Sequence, residues 1–160
     1  MLQYGDKGTG KLRTITDFMS IEFEKLNNGW SPEPNAPEEE IVVSGSDVEV
    51  SFLLNPFESG KYKEGSRATL TFHGCLQYRY GSPNDEGFYV FNESRFKEFG
   101  VEWGEFYKVN GSDWETDFPD PISVSEQAHD GLNHYLLYLR DGTFECIARD
   151  YELTLNIQRR

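Results

Sequence analysis

Residues of catalytic and metal-binding type are spread along this chain, and few of them stand at the spacings that chemistry requires. Gly5, Gly10 and Lys11 reproduce the G-x-x-x-x-G-K pattern of a phosphate-binding loop, but Leu12 follows where a magnesium-holding Ser or Thr belongs. Too few residues precede Gly5 to form the strand that feeds such a loop, so residues 1–11 read as a mobile polar tail. Asp113, Glu115 and Asp117 have the alternating carboxylate spacing of a calcium loop. The sixth position is then Phe118 rather than Gly, and the twelfth is Val124 rather than a bidentate Glu, so this is not an EF-hand. A looser cation site that adds Asp120 competes with the plainer reading of a solvated acidic loop.

The remaining candidates are weaker. His73 and Cys75 point to one side of a strand, and His129 and His134 stand near a turn, but no second Cys or His pair completes a zinc set. Cys75 with His134 could act as nucleophile and base only if folding made them neighbours. Glu102 and Glu105 could flank a sugar, yet a chain with 28 acidic residues contains such pairs by chance. We therefore expect no catalytic residue, no metal and no cofactor, and lean away from an enzyme.

The elements that would position these residues are strands. From 67 to 80 the even positions are Ala68, Leu70, Phe72, Gly74, Leu76, Tyr78 and Tyr80, against a polar odd set. That alternation predicts an antiparallel strand with one apolar face, and Gly74 is the place for a bend or bulge. Asp141-Gly142 predicts a type I′ hairpin pairing Leu139 with Phe144, Leu137 with Cys146 and Tyr135 with Ala148. On its other face Leu136, Tyr138, Glu145 and Ile147 predict a part-covered surface. Gly45-Ser46 predicts a type II′ turn that sets Val43 opposite Val48 and Ile41 opposite Val50. Phe144, Cys146 and Ala148 are even, whereas Tyr151, Leu153, Leu155 and Ile157 are odd. Keeping both sets inside requires a bulge or corner near Arg149-Asp150. Further strands are expected around Met19, Ile21 and Phe23, where a helix over 17–26 is the second choice, and over 103–109. A short turn capped by Asn92 would pack Phe96 and Phe99 and stop at Gly100. The fold expected is mainly β, an antiparallel β-sandwich or β-barrel of about eight strands with at most one or two short helices.

Bulk properties bound the function. The chain of 160 residues reads as a single domain over 1–160, with 29–40 an exposed Pro-rich acidic connector. Aromatic residues reach 15%, which predicts a core rich in large rings. No leader or membrane span is expected, and Cys75 and Cys146 fit a reducing compartment, so a cytoplasmic protein is anticipated. The net charge of −13 leaves no basic stripe, which excludes nucleic acid and anionic membranes as partners. Residues 112–130 hold six acidic side chains and no Lys or Arg. They point to a docking surface for a basic protein, with Asp113, Trp114, Glu115, Asp117 and Asp120 as partner-binding candidates.

The segments HYLLYLRDGTFECIARDYEL at 134–153 and LNNGWSPEPNAPEEEI at 26–41 resemble small single-domain bacterial proteins. In general style the chain is similar to the immunity proteins of bacterial toxin systems, which are commonly small, acidic and cytosolic. This resemblance implies a non-enzymatic binder of a basic partner and assigns no functional residue. The alternatives are a small-ligand-binding barrel or sandwich with an aromatic cavity, or a glycan-binding domain.

Overall fold

Strict alternation along two long strands organises the molecule. The computed structural model describes residues 21–158 apart from Ser59 and Asn92. The described strands are β1 (Glu22–Lys25), β2 (Glu40–Ser44), β3 (Asp47–Leu53), β4 (Arg67–Gly81), β5 (Phe106–Asn110), β6 (Ile122–Ser123), β7 (Asn133–Leu139) and β8 (Gly142–Asn156). They form one eight-stranded antiparallel sheet in the order β1-β5-β7-β8-β4-β3-β2, with β6 paired to β4. A short helix α1 (Asp85–Tyr89) and a 3-10 turn (Lys97–Phe99) lie between β4 and β5. The mainly β, eight-stranded expectation holds, and the sheet does not close into a barrel because β1 and β2 remain its edges. The phosphate-loop motif, the predicted tail, Met19 and the Asn92 cap fall outside the described residues.

The sheet curls until its two halves meet. Phe106 on β5 packs on Tyr151 of β8 at 5.1 Å, across β7, and on Phe72 of β4 at 6.0 Å, across both β7 and β8. Val48, Val50, Phe52, Leu70, Phe72, Leu137 and Phe144 fill this concave side with no exposure. The expected exposed connector at 29–40 needs correction here. Trp30, Ser31, Pro32 and Pro37 are buried, and only parts such as Pro34, Asn35, Ala36 and Glu38 face solvent. Trp30 stacks on Phe52 at 5.8 Å and meets Phe106 at 6.2 Å, closing the open end of the curl. Buried Asn27 holds it there by donating to the Trp30 carbonyl at 2.7 Å and accepting from the Phe106 amide at 3.0 Å.

The predicted corner lies where β4 and β8 change phase together. Phe72 faces Tyr151, and beyond the corner Cys75 faces Ala148, with a register shift between Cys75 and Gln77. Gly74 sits there with φ +57°, a conformation that favours glycine. Its carbonyl accepts from Gln127 Nε2 at 3.0 Å, so the interrupted ladder is satisfied from a loop. The corner also overturns the expectation that His73 and Cys75 share a side. Cys75 is fully buried, while His73 stays 43% exposed, between Asp47 and Glu152.

The Gly45-Ser46 hairpin has the expected register, Val43 with Val48 and Ile41 with Val50. The β7–β8 hairpin does not. Its loop is Arg140-Asp141, so Leu139 pairs with Gly142, Leu137 with Phe144 and Tyr135 with Cys146. Gly142 is required for space rather than for φ: a Cβ there would lie 2.9 Å from the Tyr80 ring and 3.0 Å from the Gly81 carbonyl. Because the register moves by an even step, each side chain keeps its expected face.

Candidate functional site

Around the β7–β8 hairpin the outer face is covered rather than part-covered. Leu136, Tyr138, Ile147 and Glu145 have 1% exposure or less. One cover is residues 82–103, which pack Phe88, Phe96, Val101 and Trp103 onto Tyr138 and Leu136. The helix in it starts at Asn84, whose Oδ1 accepts from the Gly87 amide at 2.8 Å. The Pro83-Asn84-Asp85-Glu86 run carried that start signal in the sequence. The other cover is residues 112–120, which pack Trp114 and Phe118 against Leu76 and Ile147.

At the seam between the covers lies Glu145, buried and ionised. Arg79, its cross-strand partner, donates through Nη1 at 2.9 Å. Arg95 donates to both carboxylate oxygens, and its other Nη donates to the Asp117 carbonyl at 3.0 Å. Nε2 of buried His134 lies 2.9 Å from Oε1. Burial alone would raise the Glu145 pKa, but the His134 hydrogen bond and the charges of His134 and Arg95 outweigh it and bring it down to about 2. Arg95 thus ties the first cover, the second cover and the sheet to one carboxylate.

The chemistry of this cluster is limited by its saturation. Ser112 Oγ lies 2.8 Å from His134 Nδ1, so Ser112, His134 and Glu145 stand in the order hydroxyl, imidazole, carboxylate. Two guanidinium groups already neutralise the carboxylate, and neither Ser112 nor His134 lines the adjoining cavity. Among the described residues this cluster therefore orients and buries charge, and its hydroxyl and imidazole do not line the cavity. That cavity, of about 200 Å³, has a buried floor that includes Arg79, Leu136, Tyr138 and Thr143, and a mouth with exposed Glu93 and Asp120.

The five partner-binding candidates of 112–120 are only partly brought together as an open surface. Glu115, Asp117 and Asp120 are exposed, whereas Asp113 is half-buried and its carbonyl accepts from the Asp117 amide at 2.7 Å. Glu115 pairs with His129 at 3.3 Å. Trp114 is half-buried, packed on Leu76, Phe118 and Ile147 and 5.2 Å from the His129 ring, because the loop needs it as its own underside. A more exposed aromatic group stands on the neighbouring cover, where Tyr89, Val90 and Phe91 are 61%, 68% and 62% exposed. Lys97 donates to the Phe88 carbonyl at 2.7 Å and the Tyr89 carbonyl at 3.4 Å, holding this turn against the 3-10 segment. Exposed Glu86, Glu93, Glu98 and Glu102 lie along the same cover.

Other candidate pairs separate. Cys75 is on the concave side with Cys146, and His134 is on the outer face, so no Cys–His pair forms. The two free thiols neighbour each other, and burial pushes the Cys146 thiol well up. Glu105 is taken by Asn27 and by Lys25 at 3.4 Å, while the Glu102 amide donates to the Tyr107 hydroxyl at 2.7 Å. Among the described residues no group of His, Cys, Asp or Glu is placed to hold a metal ion, and no helix is long and apolar enough to cross a membrane. The chain matches no protein-family model, no curated protein sequence and no solved structure.

Proposed function

We propose that this is a non-enzymatic binding protein that engages a basic protein partner through the surface formed by its two outer covers. The observation that carries the reading is the run of exposed Tyr89, Val90 and Phe91 among the carboxylates of Glu86, Glu93 and Glu98. Aromatic side chains dominate interface energetics, and acidic rims steer basic partners and select against acidic ones. Arg95 continues that surface onto Asp117, and Asp120 lies across the cavity mouth, so the acidic loop of 112–120 extends it. The saturated Glu145 cluster supports the non-enzymatic part of the reading.

Neutralisation of a basic toxin, as by an immunity protein, is the form of binding in keeping with the chain's general style, small and acidic, and in that reading the protein acts in the cytoplasm. The filled concave side gives no support to the aromatic-cavity alternative. The test is calorimetric titration with the products of the genes beside this chain's own, of which a basic one is expected to bind, at low and high salt. Affinity is expected to fall steeply with salt, and Phe91→Ala is expected to weaken binding by about 2 kcal/mol or more. Affinity that ignores both salt and Phe91→Ala would refute the proposal.

A further inference from the structure

Tyr151, Leu153, Leu155 and Ile157 carry the alternation of a strand with a buried face, yet Leu155 and Ile157 are 37% and 44% exposed. We infer that this end of β8 is an interface between two copies of the chain, joined edge to edge by antiparallel strand pairing. None of the four side chains packs under the outer covers, so this edge owes nothing to the basic partner proposed above.

The backbone is open here. β7 pairs with β8 only as far as Ala148, and from Tyr151 to Asn156 the sole strand neighbour among the described residues is β4. Just beyond, the Gln158 amide donates to Ser66 Oγ at 2.9 Å, on the β4 side. Backbone groups alternate in direction along a strand, so Asn156, Thr154 and Glu152 also face β4, whereas Tyr151, Leu153 and Leu155 face the free side. The Tyr151 amide is met there by Asp150 Oδ1 at 2.8 Å, a side chain standing in for a strand. A free row of N–H and C=O groups beside apolar side chains is a template for another strand.

Self-complementarity selects a second copy as that strand. With Thr154 on a two-fold axis, Leu153 of one copy faces Leu155 of the other, and Tyr151 faces Ile157. On the opposite face Glu152 meets Asn156 and Thr154 meets its own equivalent, a pair that is favourable across strands. Charge agrees with this direction. Asp150 and Glu152 open the stretch, and Arg159 and Arg160 follow it in the sequence. Antiparallel copies bring each acidic start towards the other's basic end, whereas parallel copies would set carboxylate beside carboxylate. A two-fold pairing also closes on itself, giving a dimer and not a fibre.

The experiment is sedimentation equilibrium of the full chain in reducing buffer, from micromolar to millimolar concentration. The mass is expected to rise from 18.5 kDa to twice that value. Leu155→Lys is expected to weaken the dimer at least about tenfold, as lysine on an edge strand does. Asp150→Lys with Glu152→Lys is expected to weaken it too, and adding Arg159→Glu with Arg160→Glu to restore it. Because Leu155→Lys could disturb the fold, trapping provides a second measurement. Thr154→Cys under oxidised glutathione is expected to form a covalent dimer, since facing residues of a non-hydrogen-bonded pair lie about 4.5 Å apart. Glu49→Cys, exposed on β3, is expected to stay monomeric, and the native Cys75 and Cys146 are buried. A chain that stays monomeric at millimolar concentration, with Thr154→Cys trapped no faster than Glu49→Cys, would overturn the interface. Leu153 and Leu155 amides protected from hydrogen exchange in a monomer would give the edge to another segment of the same chain and overturn it as well.

Discussion

Glu145 shows how a buried charge is held. Its carboxylate meets Arg79, Arg95 and His134 inside a covered face, and its contribution depends on all of them remaining. Glu145→Gln leaves two guanidinium groups without their counter-charge, and we expect a loss of about 3–5 kcal/mol in urea unfolding. The pH dependence has a definite sign. The folded pKa is depressed from 4.5 to about 2, so the stabilisation is present above the ordinary carboxylate range and is lost as pH falls from about 4.5 towards 2. The variant should therefore show a flatter acid limb than the wild type in unfolding midpoints measured across that window. His73 has the opposite sign. Its hydrogen bond to Glu152 raises its pKa, slight burial opposes this, and Asp47 adds to the rise. Its stabilisation is present below the ordinary imidazole pKa and is lost as pH rises through the raised value. Glu152→Gln is expected to shift the His73 titration midpoint downward in proton spectra.

At the scale of elements, glycine decides where strands bend and how closely they approach. Gly74→Ala forces a side chain onto φ +57° and into Arg149 at 3.0 Å. The Arg149 chain can move, so the backbone cost of about 1–2 kcal/mol should dominate. Gly142→Ala instead meets the Tyr80 ring and the Gly81 backbone, which cannot withdraw freely. We expect a loss of about 1–3 kcal/mol, read from thermal unfolding. The β4 alternation, the Gly45-Ser46 register and the need for a corner at Arg149-Asp150 were legible because each is a local periodicity or turn preference. The β7–β8 loop was misread because Asp141-Gly142 is a strong local turn signal that a non-local constraint overrides. That constraint is the approach of Gly142 to Tyr80, and Tyr80 lies on another strand.

For the molecule as a whole, one curled sheet has two differently made faces. The concave side is sealed by rings, whereas the outer side is closed by covers hinged on Arg95 and Glu145. The covers should therefore open before the sheet does. In native-state hydrogen exchange, the Phe88, Val90 and Glu93 amides, bonded only within their own cover, are expected to exchange at lower opening energies than the paired β4 and β8 amides. Glu145→Gln should lower the cover energies further. The acidic balance of the chain belongs to this scale too, because a charge of −13 acts on partners through summed surface potential rather than through any one carboxylate.

By itself the sequence determined the class of fold, the faces of its long strands away from the corner at Gly74–Leu76 and the exposed end of β8, and the acidic balance, since side-chain alternation and charge are local properties of the chain. A Glu on a face shared with Leu136, Tyr138 and Ile147 also signalled that a buried charge would need partners. Tertiary structure alone decided that those partners are Arg79, Arg95 and His134, and that Trp30 and Pro37 turn inward from an acidic connector. It also set His73 and Cys75 apart and opened a cavity beneath Glu93 and Asp120. The physical reason is common to all of these. They depend on how a curled sheet brings residues distant in the chain within a few ångströms, and no spacing along a strand encodes that approach.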